Sequence, residues 1–507
     1  MKTSHWLQGC GAGIVLMLCD LWFHISPLHS DLYHRLLPMN SVYWGVAVDL
    51  LALCVLLAVL CWLFERFDPL QRGACWLVLG AILFWRLHVF LVWQGLLSPR
   101  PWRPTFTLLL SLGLGLILWF FYRSLYSRAV RGGLVLLALL GLSVFWMEAE
   151  LLYMAVHFEP LEQPNFAKSI PGSSLPQRRI IWIVFDELSH DQVMDHRQAD
   201  LQMPAFDRLR AESVLFTNVQ PAGYYTELVL PSLLWGRSIT GERSDLEGHL
   251  SVKTAQHGWQ LFPASQSIFA DAQSKGWTAG VAGWYNPYCR TYATELDWCA
   301  WQLTSPIEGT YSPRQSALWN VLAPVRKPLL RMIGEKYRTP SDAALHTSDY
   351  NQLMQWSQQL IADENIRFVF LHLPVPHPYG IYNRHTGQLD GGGSYVDNLA
   401  ITDAALLQIR KWIAATQSAS QTTLIVCGDH SWRVPMWRKS PGWTTEDEKA
   451  SQGRFDSRPL LMVHLAGETA PLTMDRPFPA LAEHDLMEKL FAGPLTDDEL
   501  LKWASTR

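Results

Sequence analysis

Two pairs of residues in the sequence can hold a metal ion, and we call them the acidic pairs because each contains at least one carboxylate. Asp186-Glu187 and Asp429-His430 each follow a short apolar run with the length and composition of a buried β-strand. Ligand sites in open parallel α/β sheets form beyond the carboxyl ends of the strands, so the two pairs are predicted to lie at one edge of a sheet. Carboxylates and imidazoles are common ligands of divalent metal ions. The sequence therefore predicts a metal site at this edge.

Thr226 is the candidate nucleophile. It follows Gly223 and two tyrosines in a segment that predicts a loop, and the apolar run closed by Gly236 predicts a helix that begins near Pro231. A hydroxyl near a helix N-terminus lies in positive potential, beside backbone N–H groups that have no partner within the helix. Such a place suits a nucleophile that attacks an anionic ester. A helix cap or a plain loop hydroxyl is the alternative, and the two acidic pairs favour the catalytic interpretation.

Together these segments resemble the alkaline phosphatase/sulfatase superfamily over roughly residues 178–490. The resemblance rests on three motifs: Asp186-Glu187, Thr226 five residues before Pro231-Ser232-Leu233-Leu234, and Gly428-Asp429-His430. In particular, the chain resembles the membrane-anchored phosphotransferases of the superfamily, such as lipid A phosphoethanolamine transferases and lipoteichoic acid synthases. The resemblance implies a sulfatase-like (alkaline phosphatase-like) α/β domain with a doubly wound central sheet. It also implies a zinc or manganese ion held by the two acidic pairs and Thr226.

A loop and several arginines are candidates for binding the substrate. The segment from Pro374 to Tyr379 resembles the His-x-Pro-Tyr loop with which relatives place an imidazole at the substrate. His377 is therefore predicted to contact the transferred phosphate or to protonate the leaving oxygen, with a structural His stacked on Tyr379 as the alternative. His372 is interpreted as a structural residue of the preceding strand. Three guanidinium groups are candidates for binding an anion: Arg290, Arg433 and Arg438.

The resemblance implies a two-step transfer through Thr226. Its ionised hydroxyl attacks a phospholipid donor, diacylglycerol leaves, and the phosphoethanolamine or glycerophosphate headgroup passes to an envelope glycan or glycolipid acceptor. A sulfatase-like hydrolase, either a phosphodiesterase or a sulfuric ester hydrolase, is the main alternative because water competes for the same intermediate. Residues 226–230 lack the Cys/Ser-x-Pro-x-Arg pattern of classical sulfatases, so formylglycine cannot form at Thr226. A non-catalytic envelope scaffold, which would hold no tight divalent ion, is the third alternative.

The first third of the 507-residue chain predicts a membrane domain of five transmembrane α-helices. The five apolar stretches are 7–28, 42–63, 75–97, 106–122 and 133–156. Basic residues in the short loops favour a cytoplasmic N-terminus, and five spans then place the C-terminal domain outside the cytoplasm. The prediction is a multi-pass protein of the bacterial inner (cytoplasmic) membrane with a periplasmic domain. Net charge is −4, which gives no indication of nucleic-acid binding.

Ionisable residues within the predicted spans include Asp20, Asp49 and Arg86. Charge within a membrane is costly and often functional, so these residues are candidates for handling a lipid headgroup. Arg86 and Asp49 are expected to pair between helices.

Three regions follow from these patterns: a transmembrane domain at 1–158, a Pro- and Ser-rich linker at 159–178 and a catalytic domain at 179–507. The last region alternates strands with helices, which predicts βαβ units. The predicted strands are 180–185, 214–219, 278–283, 367–372, 422–427 and 459–464. The predicted helices are 204–212, 266–275, 342–362, 395–417 and 483–491. Cys289 and Cys299 can form a disulfide if this domain lies outside the cytoplasm, and free thiols are the alternative.

Overall fold

The computed structural model describes residues 1–26, 31–94, 96–97, 104–157, 178–302, 310–326, 342–389, 391–440 and 442–507. The chain divides into two compact units. The first consists of Met1–His29, Leu37–Pro160 and Ile307–Tyr337, and the second of Ser30–Leu36, Leu161–Pro306 and Arg338–Arg507. The predicted linker, apart from Arg178, lies outside the described residues.

Apolar helices make up most of the described N-terminal residues. They are α1 (Thr3–Leu16), α2 (Leu18–Ile25), α3 (Asp31–His34, in the second unit), α4 (Asn40–Phe64), α5 (Pro69–Trp93), α6 (Pro104–Phe121), α7 (Arg123–Gly141) and α8 (Val144–His157). The first unit also contains the short helix Ala317–Val321.

Three or four of these helical segments are candidates for membrane spans. Asn40–Phe64, Pro69–Val92 and Arg123–His157 are each long and apolar enough to cross a bilayer. The helices α1 and α2 qualify together as one span, although they are bent by 72°. The fourth predicted stretch lies on the shorter apolar helix Phe106–Phe121, so a fifth span stays a prediction. The N-terminal helices are thus compatible with a membrane anchor.

Two polar contacts cross between segments of the first unit. Arg86 Nη2 lies 3.3 Å from Asp20 Oδ2, and the Tyr311 hydroxyl donates to Asp49 Oδ2 at 2.9 Å. The expected pairing of Arg86 with Asp49 is therefore wrong: Arg86 pairs with Asp20.

An eight-stranded mixed sheet forms the centre of the second unit. The strands of this unit are β1 (Arg179–Phe185), β2 (Val214–Phe216), β3 (Val219–Gln220), β4 (Ile239–Ser244), β5 (Leu250–Thr254), β6 (Trp259–Leu261), β7 (Ala279–Trp284), β8 (Trp298–Gln302), β9 (Phe368–Leu373), β10 (Thr422–Gly428), β11 (Leu461–His464), β12 (Leu472–Met474) and β13 (Phe478–Pro479). The order in the large sheet is β12-β2-β11-β10-β1-β9-β7-β8. The strands from β10 to β8 are parallel, whereas β11 runs antiparallel to both neighbours. The sheet is therefore mixed rather than all parallel.

Hydrophobic side chains cover both faces of this sheet. Along β1, Ile180, Trp182 and Val184 belong to one buried cluster, and the alternate residues belong to the cluster on the other face. A strand buried on both faces is apolar along its whole length, which explains why β1 and β10 can be predicted from the sequence.

Helices flank the sheet of the second unit. They are α9 (Pro204–Arg210), α10 (Thr226–Trp235), α11 (Ile268–Ser274), α12 (Tyr288–Thr291), α13 (Asp342–Ala362), α14 (Tyr395–Ala414), α15 (Val434–Trp437), α16 (Thr445–Ser451), α17 (Ala482–Ala492) and α18 (Asp497–Ala504). The predicted start of α10 near Pro231 is wrong, because the helix begins at Thr226 and Pro231 lies within it. Gly236 ends the helix in the left-handed conformation with φ of 69°.

Candidate active site

The register of three neighbouring strands brings the acidic residues together. Phe185 at the end of β1 pairs with Gly428 of β10 and with Leu373 of β9. Asp186 and Asp429 therefore follow paired positions at one edge of the sheet, as predicted. Gly428 is required by the close approach of the next turn, since a Cβ there would lie 2.6 Å from a backbone oxygen of Leu188.

Thr226 joins this edge from the first residue of α10. Its hydroxyl donates to Asp186 Oδ2 at 3.0 Å, and its Oγ1 lies 3.2 Å from His430 Nε2. The side chain is buried, and the start of a helix directs backbone N–H groups without helical partners towards this region. The structure thus places the predicted nucleophile against both predicted motifs.

Two buried imidazoles present an unprotonated nitrogen to the acidic groups. His430 Nδ1 lies 3.1 Å from the Ser431 carbonyl oxygen, and His372 Nδ1 lies 2.8 Å from the Trp284 carbonyl oxygen. A carbonyl oxygen only accepts, so in each neutral ring Nδ1 carries the proton and Nε2 carries the lone pair. His372 Nε2 lies 3.5 Å from Asp186 Oδ2.

His372 was interpreted as structural from the sequence, but the structure places it beside Asp186 in the candidate site. It is a lone imidazole in the apolar strand β9, one residue before the strand ends, and this position is the signal that could have identified it. Its Nε2 has no hydrogen-bond partner among the described residues, and neither do Asp186 Oδ1 and Asp429 Oδ2. Three buried polar atoms of neighbouring side chains are thus left without hydrogen-bond partners, which is costly unless another group binds them.

The electrostatics of this cluster fit a divalent cation. Burial, followed by the charge of Asp429, raises the pKa of Asp186 well above its ordinary value. Burial lowers the pKa of both His372 and His430 to about 4, so the two rings are neutral at pH 7. Ligand atoms of Asp186, Asp429 and His430 lie within 4.8 Å of one another. Two carboxylates and two neutral imidazoles form a donor set that suits a metal of the zinc type.

Glu187 is held by several donors in the same region. Its backbone has φ of 62°, an uncommon conformation for a residue other than Gly, and its N–H donates to Asp429 Oδ1 at 3.0 Å. Its carboxylate accepts from Arg433 Nε at 2.6 Å and from Trp437 Nε1 at 2.8 Å. Glu187 also lies within 4.8 Å of ligand atoms of Asp186 and His377. A role of Glu187 as a metal ligand stays a prediction.

His377 lies at this edge, half-buried among aromatic rings. Its ring centroid is 5.1 Å from those of Trp284 and Trp437, and Asn398 Nδ2 donates to the His377 carbonyl at 2.9 Å. Burial, followed by the charge of Arg433, lowers the pKa of His377 well below its ordinary value. A neutral imidazole at pH 7 can accept a proton more readily than it can donate one.

The predicted arginines occupy different places. Arg433 lies at the site through its contacts with Glu187. Arg290 donates to the backbone carbonyls of Tyr33 and Arg35 at 2.7 and 3.0 Å. Arg438 forms an ion pair with Glu448. The structure therefore brings Arg433 to the cluster, while substrate binding by Arg290 and Arg438 stays a prediction.

The disulfide between Cys289 and Cys299 is formed. It joins α12 to β8, next to the loop that follows β7. Tyr288 of the same helix lies with its hydroxyl 2.9 Å from His372 Nδ1. The disulfide thus anchors a short helix that contacts a residue of the site.

Comparisons with known proteins identify a family for the chain. The sequence model of the Sulfatase family matches residues 178–454, more than half of the chain. No curated protein matches the chain.

Solved structures with a similar fold share little sequence with the chain. A protein from glycosaminoglycan metabolism of Bacteroides thetaiotaomicron is 13% identical, with 65% of this chain and 82% of that chain covered and a TM-score of 0.45. The phosphonate monoester hydrolase of Agrobacterium radiobacter is 13% identical, with 64% and 77% covered and a TM-score of 0.40. A sulfatase from Pseudoalteromonas sp. is 14% identical, with 62% and 68% covered and a TM-score of 0.41.

Proposed function

The chain belongs to the Sulfatase family, within the alkaline phosphatase/sulfatase superfamily, and from this premise we propose that it is a membrane-bound, metal-dependent phosphotransferase. Its donor is a phospholipid, its nucleophile is Thr226, and its acceptor is an envelope glycan or glycolipid. One observation carries the proposal: a buried threonine hydroxyl at a helix N-terminus donates to Asp186 and adjoins His430. A threonine cannot become formylglycine, so the oxygen itself is available to attack phosphorus.

A zinc or manganese ion fits among the buried donors of the site. Asp186, His372, Asp429 and His430 would hold it, and their unpartnered atoms support this assignment. When bound, the cation supplies positive charge that favours the ionised Thr226 hydroxyl and offsets negative charge on the phosphate oxygens. Two neutral imidazoles in the donor set favour zinc over magnesium or calcium.

The protein's own residues support both halves of a transfer. In the first half, Thr226 Oγ1 gives up its proton and forms a bond to phosphorus, the phosphorus–oxygen bond to diacylglycerol breaks, and the diacylglycerol oxygen takes up that proton. In the second half, an acceptor hydroxyl attacks phosphorus and gives its proton to neutral His377, while the bond to Thr226 Oγ1 breaks and that oxygen regains a proton as His377 releases its own. The lowered pKa of His377 supports this role as a base over its predicted role as an acid.

A cavity within the first unit supports a lipid donor. It has a volume of about 490 Å³, and Asp20, Asp49 and Arg86 line it together with apolar residues such as Leu53 and Leu56. Two carboxylates beside one guanidinium complement a headgroup that carries both an ammonium and a phosphate. This chemistry favours phosphoethanolamine over glycerophosphate as the transferred group.

The location that we propose is the inner membrane, with the second unit in the periplasm. A disulfide between Cys289 and Cys299 supports this location, because disulfides persist in oxidising compartments outside the bacterial cytoplasm.

The test is the mass of the tryptic peptide that contains Thr226. The detergent-solubilised chain is loaded with zinc and incubated with vesicles of phosphatidylethanolamine and phosphatidylglycerol. A phosphoethanolamine adduct in the wild type, absent in Thr226→Ala and reduced in Thr226→Ser, is expected. Bound metal with turnover of a soluble phosphodiester or sulfate ester, but no adduct, would replace the proposal with a hydrolase. If the chain forms no adduct, binds no metal and turns over no ester, the non-catalytic envelope scaffold would replace the proposal.

A further inference from the structure

We propose that a groove between helices α13 and α14 binds an uncharged glycan and holds the acceptor chain for the transfer reaction. The groove has a volume of about 570 Å³, which is within the range of ligand-binding clefts. It lies in the second unit and is separate from the residues of the metal cluster. Its function as an acceptor subsite rests on the proposed transferase activity.

Helical periodicity builds the two walls of the groove. Residues 350, 354 and 358 recur every four positions along α13, and residues 401, 404, 408 and 412 recur at spacings of three and four along α14. Such spacings place side chains on one face of each helix. The two helices contact one another, so the two faces form adjoining walls.

The lining combines polar and apolar side chains and carries no charge. Among the described residues that line the groove there is no Asp, Glu, Lys, Arg or His. Four amides and two aromatic rings provide its hydrogen-bonding and stacking groups: Asn351, Gln355, Gln358, Gln408, Tyr382 and Trp412. An uncharged lining disfavours nucleic acids and anionic headgroups, which need cations to bind.

The hydrogen-bonding groups of this lining suit a sugar. Three of the four amide side chains are exposed and that of Gln408 is half-buried, so all four are accessible to a ligand. An amide both donates and accepts, as required by sugar hydroxyls, which do the same. Tyr382 and Trp412 are half-exposed, so each offers an apolar ring face and a polar tip to a ligand. Stacking on rings combined with amide hydrogen bonds selects a neutral carbohydrate over an apolar peptide.

The groove is connected to the site by a single loop. Tyr382 follows His377 by five residues, so the two are at most about 18 Å apart. Asn398 at the start of α14 donates to the His377 carbonyl at 2.9 Å and accepts from the Ile381 N–H at 2.9 Å. The end of the groove at Tyr382 therefore lies within a few sugar units of the imidazole that we assign to the acceptor hydroxyl.

The experiment is calorimetric titration of the full chain with uncharged hexasaccharides of glucose, mannose and N-acetylglucosamine. The detergent must have no sugar headgroup, because a maltoside would compete. Binding of at least one hexasaccharide is expected, weakened at least tenfold in Trp412→Ala and in the double variant Gln355→Ala/Gln408→Ala. The matched control is Trp259→Ala, which removes an exposed tryptophan on β6 and should bind as the wild type does.

A second measurement separates this inference from the proposed function. Trp412→Ala should form the Thr226 adduct at the wild-type rate, which also shows that it is folded, yet transfer the headgroup to the hexasaccharide at least tenfold more slowly. Hexasaccharide binding without any adduct in the wild type would refute the transferase and keep the glycan site. Absence of hexasaccharide binding, unchanged binding in both groove variants, or occupation of the groove by a protein partner instead would each overturn the glycan site.

Discussion

His372 contributes to the site through a nitrogen whose lone pair has no partner among the described residues. The Trp284 carbonyl fixes the proton on Nδ1, and Nε2 then faces Asp186 at 3.5 Å. We expect His372→Gln to weaken zinc binding by at least about 10–100-fold, since loss of a group that merely supports the ligands of a metal site already costs that much. Competition with a chromogenic chelator measures the affinity.

A histidine of the same sheet provides the control for that measurement. His464 of β11 donates from Nδ1 to the Glu212 carbonyl at 2.7 Å and lies outside the cluster. His464→Gln should retain wild-type zinc affinity. Equal affinity in His372→Gln and the wild type would show that the imidazole is only structural, as the sequence suggested.

Arg433 and Glu187 form a buried ion pair beside the candidate metal ligands. Removing the guanidinium leaves a fully buried carboxylate with Trp437 as its remaining side-chain donor. We expect Arg433→Ala to destabilise the folded chain by roughly 3–5 kcal/mol, the usual effect of breaking a buried pair. Thermal unfolding in detergent should show a lower melting temperature, and the double variant Glu187→Gln/Arg433→Ala should recover part of it.

The neighbouring pair of Arg438 and Glu448 provides the contrast. The Arg438 side chain is 51% exposed, so water and salt screen its interaction. Arg438→Ala should change the stability by about 0–1 kcal/mol. Equal losses in both variants would contradict the assignment of a buried charge at Glu187.

Secondary structure elements differ in how well their sequences reveal them. The strands β1, β7, β9 and β10 were predicted within one residue at each end, because buried parallel strands are apolar throughout. The same continuity concealed the role of His372, since a run buried on both faces does not show which residue points to the site. The reversed direction of β11 was also missed, because direction depends on tertiary pairing rather than on composition.

The start of α10 shows a different limit of sequence analysis. Pro231 suggested a first helical turn, since proline is favoured there and disfavoured inside a helix. In the structure, tertiary packing outweighs the unfavourable position of the proline. The residues from Val229 to Trp235 are buried, and the helix continues on both sides of Pro231. The error matters for function, because the true start places Thr226 itself in the first turn.

Helix α17 contains a buried acid that should make stability depend on pH. Glu483 has no hydrogen-bond partner among the described residues other than the Cys427 thiol, and burial raises its pKa to about 8 from 4.5. The folded chain therefore keeps a proton that the unfolded chain loses. The contribution of the protonated Glu483 carboxyl to stability is fully present below pH 4.5. It falls by about 1.4 kcal/mol per pH unit as the pH rises from 4.5 to 8, where it is lost.

Glu483→Gln removes this dependence because an amide stays neutral. Its melting temperature should exceed that of the wild type by an increasing margin between pH 5 and pH 8, and the margin should then level off. Glu488→Gln on the same helix, where the side chain is half-buried, is the control and should follow the wild type. Parallel curves for Glu483→Gln and the wild type would exclude a protonated Glu483.

Across the whole chain, the sequence predicted two kinds of region, a group of apolar helices and an α/β domain, and both are present. The number of spans is harder to predict, because length and hydropathy qualify three or four helices while α6 is shorter. The number determines the location of the active site: an odd number of spans with a cytoplasmic N-terminus places the second unit outside. The disulfide between Cys289 and Cys299 favours that outcome.

Labelling of single introduced cysteines tests this orientation. Lys253→Cys lies on an exposed position of β5, and Arg128→Cys lies on an exposed position of α7 in the segment predicted to face the cytoplasm. A membrane-impermeant maleimide should label Lys253→Cys in intact cells with an opened outer membrane, and Arg128→Cys only after the inner membrane is permeabilised. The native free cysteines are buried or half-buried, so the wild type gives the background. The opposite pattern would place the active site in the cytoplasm, where neither a stable disulfide nor an envelope glycan acceptor is expected, and would refute the proposed function at the level of the whole molecule.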